Sequence, residues 1–135
     1  MKRDMDLIRQ ILFYIEENYR AGQGAINISI EGHTDGEIFE SCQLAYQDGL
    51  IEKPLDSSTM MERSCMANGL TSAGYDFLDK IREDTVWNKT KKVLKDKGLP
   101  MLVNTIRSIA TAIISAAAEG ATNAIIKNGG ATHAD

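Results

Sequence analysis

The run from Gly69 to Arg82 constrains this chain most, because it joins an extended segment to a helix with no linker between them. Gly69-Leu70 closes the extended part. Thr71 or Ser72 then offers a side-chain oxygen to the free N–H groups of a helix start. Tyr75, Leu78 and Ile81 recur at three-residue spacing and face inward, with Phe77 nearby. Asp76, Asp79, Lys80 and Glu83 face water. A hairpin that runs into a capped helix belongs to an α+β architecture, in which a small sheet and its helices share one core.

Upstream, Met5, Ile8, Leu12, Ile15 and Tyr19 repeat every three to four residues, with Ile11 beside them, so residues 5–19 form a helix that Gly22 and Gly24 end. Ala25 to Ile30 alternates apolar and polar side chains, the pattern of a half-buried strand. Thr34-Asp-Gly-Glu37 fits the capping box, and Ile38, Phe39, Cys42, Ala45 and Tyr46 make one apolar face. Gly49 is placed for the left-handed cap that stops this helix before Leu50-Ile51. Leu50–Leu55 and about Met61–Leu70 are expected as hairpin strands, with Asp56-Ser-Ser-Thr59 as the turn.

Downstream, Asp84 or Thr85 restarts a helix, along which Trp87, Thr90, Val93 and Leu94 continue a buried stripe until Gly98-Leu-Pro100 ends it. A last helix, about Met101–Lys127, is rich in Ala, Ile, Ser and Thr. Leu102, Ile106, Ile109, Ile113, Ala116 and Gly120 alternate at four and three along it, a heptad-like seam. Ala116, Gly120 and Ala124 put small residues four apart, which allows close helix approach. Three segments are expected: residues 1–98 as a winged-helix-like domain, 99–128 as an oligomerising or docking helix, and 129–135 as a frayed tail.

Charge divides the chain. Residues 1–79 hold six Lys/Arg against fourteen Asp/Glu, and residues 80–135 hold nine against five. An acidic body with a basic rear points to a localised interaction face and excludes generic nucleic-acid coating. Cys42 and Cys65 form no C-x-x-C pair, and with two histidines they assemble no zinc set by spacing. No disulfide framework and no cofactor are expected. The first residues contain no apolar h-region, so a cytoplasmic setting is expected.

Two stretches carry a family resemblance. The opening Met1-Lys-Arg-Asp-Met-Asp-Leu-Ile-Arg9, and the run from Leu70 through Gly74-Tyr-Asp-Phe to Trp87-Asn-Lys89, resemble a family of small bacterial and prophage proteins. It is known as the domain of unknown function twenty-five thirteen. The resemblance covers about residues 1–100. It implies a winged-helix fold and a phage or mobile-element setting, and it carries over no catalytic residue.

The expected function is therefore a small non-enzymatic regulator that binds duplex DNA as an oligomer. Lys89, Lys91, Lys92 and Lys95 are the candidate phosphate contacts, joined by Lys2, Arg3 and Arg9 if their helices pack together. Gln43 and Gln47 are the candidate base readers on helix 35–48. That helix also carries Asp35, Glu37, Glu40 and Asp48 and no Lys or Arg, which opposes phosphate. The alternative is an acidic module that binds or inhibits a basic host or phage protein. Trp87, with Tyr75 and Tyr46, offers a stacking surface, although a lone Trp at helical spacing belongs more often to a core. His33 and Asp35 are too close in sequence to converge as an acid–base pair. Asp76, Asp79 and Glu83 form a carboxylate row that suits solvent better than a cation. Leu102, Ile106, Ile109, Ile113, Ala116 and Gly120 are the candidate homo-oligomer seam. The uncharged interval Ser108–Ala118 falls short of the roughly 20 apolar residues that span a membrane.

Overall fold

Helix α1, Met5–Asn18, starts where Asp4 accepts a hydrogen bond from the Leu7 N–H at 3.0 Å. It buries Met5, Leu7, Ile8, Ile11, Leu12 and Ile15. Leu7 widens the expected stripe, so α1 is covered on more than one narrow face. The computed structural model describes residues 3–129, and the chain divides into two compact units, residues 1–79 and 80–135.

In the first unit, α2 spans Asp35–Gln47 and packs on α1. Both halves of its capping box are made. Thr34 Oγ1 accepts from the Glu37 N–H at 3.1 Å, and Glu37 Oε1 accepts from the Thr34 N–H at 2.8 Å. Its far end closes as a Schellman turn: Gly49 N–H donates to Tyr46 O and Leu50 N–H to Ala45 O, each at 2.9 Å. Gly49 takes φ +78°, a conformation that favours glycine. Ile38, Phe39, Ser41, Cys42 and Ala45 are buried, whereas Tyr46 is 40% exposed and stands at the edge of the expected face.

Three short strands make an antiparallel sheet in the order β1-β3-β2. They are β1 Ile26–Asn27, β2 Leu55–Asp56 and β3 Cys65–Ala67. Met66 of the central strand faces Asn27 on one side and Leu55 on the other. The strand expected over 25–30 is only two residues long, because β3 is three residues long and Ile30 O already accepts from His33 N–H in a turn. The turn expected at 56–59 lies further out. Ser57 N–H donates to Ser64 O at 2.9 Å and Thr59 N–H to Glu62 O at 2.8 Å, so pairing continues to a tip at Met60-Met61. Ser58 Oγ accepts from the Ser64 N–H at 3.0 Å, a hydroxyl filling in for a ladder bond.

Helix α3, Ser72–Ile81, follows an isolated bridge between Ile51 and Leu70. Thr71 caps it by accepting from the Gly74 N–H at 2.9 Å. Phe77, Leu78 and Ile81 are fully buried; Tyr75, expected inside, is 47% exposed.

The second unit contains α4, Asp84–Lys97, and α5, Val103–Gly129, which pack together. Trp87, Thr90 and Leu94 are buried on α4, and Gly98 closes it with φ +67°. On α5 the buried residues are Val103, Ile106 and Ala110. Residues 111–120 contain none that is buried. Helix α5 has 27 residues against 14 in α4, so α4 has too few turns to cover it. Among the described residues no helix is long and apolar enough to cross a membrane.

Candidate functional site

The first unit presents a face made by α2 and the hairpin. Phe39, Glu40, Gln43 and Leu44 from α2 and Arg63 from the hairpin line an open groove of about 290 Å³. The Arg63 guanidinium stands 5.1 Å above the Phe39 ring and closes one wall. The charged side chains that α2 exposes, Asp35, Glu37 and Glu40, are all acidic. Met60 and Met61 at the hairpin tip are fully exposed, at 102% and 94%. Flexible thioether side chains at such a tip suit an adaptable apolar contact.

Acidic groups on this face also influence one another's titration. The Glu62 carboxyl is held above its ordinary value by a side-chain hydrogen bond to Asp35, and next by the Asp35 charge. The folded chain therefore keeps this proton longer than the unfolded chain does. Its stabilisation is complete below the unfolded value, about 4.3, and is lost as pH rises through the folded value. Glu37 behaves oppositely: the Thr34 backbone N–H holds it below its ordinary value, so its contribution is lost on acidification. Glu62→Gln keeps a donor at Asp35 and removes the titration. The melting temperature of the wild type should fall relative to Glu62→Gln as pH rises from about 4 to about 6. Parallel melting curves would refute the raised Glu62 value.

Other candidates separate. His33 Nδ1 approaches Glu37 Oε1 at 3.6 Å, beyond a hydrogen bond. Among the described residues, no group of three His, Cys, Asp or Glu is placed to hold a metal ion.

A family model described as hypothetical protein DUF2513 matches residues 2–100. The chain belongs to DUF2513. A protein of Haemophilus influenzae (strain ATCC 51907 / DSM 11121 / KW20 / Rd), described as uncharacterized, is 38% identical over 115 residues, covering 85% of this chain and 97% of that one. Any stretch of 115 residues in a chain of 135 reaches residue 115. Similarity therefore runs past the family boundary into α5. No solved structure matches.

The basic row of this DUF2513 chain is partly occupied. Lys92 pairs with Asp96 at 2.8 Å, and Lys91 lies 5.4 Å over the Trp87 ring. Lys89 and Lys95 are exposed. Arg3, expected to join the row, is paired instead with Asp48 at the end of α2, and Arg9 lies 5.0 Å over Phe13. Lys2 is outside the described residues. Gln43 sits half-buried in the groove and Gln47 is exposed beyond it.

The seam on α5 needs one correction. Ile106 is fully buried within the chain and has no surface left for a second copy. Leu102 precedes the helix and is 45% exposed. Ile109 and Ile113 are half-buried, and Ala116 and Gly120 are exposed. At about 100° per residue, the centre of Ile109, Ile113, Ala116 and Gly120 lies about 80° round from the centre of the buried face. Periodicity marks two adjacent stripes as one, because both repeat every three to four residues. The side chain of Ala124 and residues 130–135 lie outside the described residues.

Proposed function

We propose that this DUF2513 chain is a non-enzymatic binding module of winged-helix type, and that its α2–hairpin face binds a basic protein surface. The order helix, strand, helix, hairpin, helix supports the fold assignment, with one helix between strand and hairpin where a winged helix usually has two. The acidic charge of exposed α2 carries the functional reading. This is the helix that would enter a DNA groove, and Asp35, Glu37, Glu40 and the neighbouring Glu62 would oppose phosphate there. The same charges attract a basic protein and speed its encounter. The sparse cysteines support a cytoplasmic setting, and the resemblance of the two motifs supports a phage or mobile-element one, with a host or phage protein as partner.

A second reading is favoured by exposed Lys89 and Lys95. With Lys91 and Lys92 they would contact phosphates of duplex DNA, Gln43 and Gln47 reading bases. Under either reading the half-buried to exposed stripe Leu102, Ile109, Ile113, Ala116 and Gly120 joins two copies.

Fluorescence anisotropy with mixed-sequence duplex DNA at about 50 and about 200 mM salt separates the readings. The protein-binding reading expects no DNA binding at either salt. It also expects a photo-crosslinker in place of Gln47 on α2 to capture a basic protein in cells, with capture lost in a Glu37→Lys, Glu40→Lys variant. Salt-sensitive DNA binding that disappears when Lys89, Lys91, Lys92 and Lys95 become Ala would overturn it.

A further inference from the structure

The α2–hairpin face is apolar as well as acidic, and its apolar parts lie side by side. Met60 and Met61 form the two-residue loop between Thr59 and Glu62, whose backbones are joined where Thr59 N–H donates to Glu62 O at 2.8 Å. Such loops ordinarily take Gly, Pro, Asn, Asp or Ser. Here two adjacent thioether side chains stand almost wholly in solvent. Arg63, which walls the groove over Phe39, follows Met61 by two residues. Two residues of chain reach about 7 Å at most, so the methionines border the groove. On α2, Glu37, Glu40 and Leu44 recur at i, i+3 and i+7 and share one stripe. Carboxylates therefore lead into the apolar end of the groove over about 10 Å of helix. An added strand is a poor fit, because the edge strands β1 and β2 are two residues each and offer few ladder bonds.

We propose that the partner segment bound by this face is a basic amphipathic helix of another protein. Its apolar stripe fills the groove over Phe39 and Leu44 and meets Met60 and Met61. Its Lys and Arg side chains meet Glu37, Glu40 and Glu62, all exposed at the rim. Helix-in-groove docking takes anchors at helical spacing, and thioethers adjust to anchors of different shape. Among the residues that line the groove, Arg63 is the one cation. It repels a partner cation placed over Phe39 and reserves that position for an apolar side chain, which sets the register. The inference rests on the reading of this face as an acidic protein-binding surface. It adds that binding needs amphipathic order as well as positive charge.

The test uses the full chain and two fluorescein-labelled peptides of lysine and leucine, each about fourteen residues or four helical turns long. Both have one composition. In the first, leucine recurs at helical spacing; in the second, the order is scrambled so that no apolar face forms. Fluorescence anisotropy at about 150 mM salt should show the ordered peptide binding at least about tenfold more tightly than the scrambled one. Met60→Ser with Met61→Ser should bring the ordered peptide down to the scrambled level and leave the scrambled one unchanged. Both side chains face solvent, so the melting temperature of this variant should match the wild type. Glu40→Lys with Glu62→Lys should weaken both peptides. Equal affinity for the two peptides overturns the helix proposal and leaves the acidic protein-binding surface standing. Ordered-peptide binding that survives the Met60 and Met61 substitutions also overturns it. Binding of neither peptide overturns both readings.

Discussion

Gly74→Ala should destabilise the first unit by about 3 kcal/mol or more, at the upper end of what overpacking costs. Helix propensity alone gives the opposite sign, since Ala exceeds Gly by about 1 kcal/mol in a helix interior. Space decides against it. A Cβ on Gly74 would stand 1.9 Å from Leu50 O and 2.9 Å from Leu50 C. Those are backbone atoms, which cannot swing aside as a side-chain end can. The Leu50 peptide is held from three directions: Leu50 N–H donates to Ala45 O, Leu50 O accepts from Thr71 N–H, and its side chain is fully buried. Thr71 Oγ1 adds a bond to Gly49 O at 2.6 Å. The start of α3 therefore presses on the end of α2, and only a residue without a Cβ permits the approach. Urea unfolding of Gly74→Ala beside Ala73→Gly measures this. Ala73 is exposed one position earlier and should show only the propensity cost. A Gly74→Ala midpoint equal to or above that of the wild type would sink the argument.

How legible these features are depends on whether their causes are local. The ends of α2 are readable because a capping box and a glycine cap are made within a few residues, from Thr34 to Glu37 and from Ala45 to Leu50. The same holds for the end of α4 at Gly98. The hairpin tip is harder to place because Ser57, Ser58 and Thr59 look like turn residues, yet their hydroxyls and N–H groups extend the ladder. Tyr46 and Tyr75 sit on the right helical stripes but at their edges, where spacing does not separate a covered ring from a half-covered one. On α5 the limit is different. A stripe that docks on α4 and a stripe that would meet another chain share one period, so the sequence alone does not divide Val103, Ile106 and Ala110 from Ile109 and Ile113. The candidate face suffers least: the acidic charge of α2 is plain in the sequence, and folding adds Arg63, Glu62 and the two methionines to it.

Trp87→Ala should cost about 3–5 kcal/mol, the range for removing a large aromatic side chain from a core. Trp87 is 2% exposed on α4, with Lys91 lying over its ring. Two roles are open to this single Trp, and they predict different magnitudes. A ring displayed for base stacking contributes little to folding, and its loss leaves stability within about 0.5 kcal/mol. A buried ring leaves a cavity that the helices around it fill only in part, and the unfavourable free energy grows with that cavity. Trp87→Phe should retain most of the stability because it keeps an aromatic ring. Lys91→Ala should cost only about 0.5–1 kcal/mol, the value of a solvent-accessible cation over an aromatic face; Lys91 is half-buried. Since these Trp87 variants lose the tryptophan fluorescence signal, circular dichroism at the helix band is the appropriate readout of denaturant unfolding. The ordering Trp87→Ala, then Trp87→Phe, then Lys91→Ala identifies a core residue whose cation is secondary. A Trp87→Ala variant as stable as the wild type would return the ring to the surface, and with it the case for Lys89, Lys91, Lys92 and Lys95 as the rim of a nucleic-acid site.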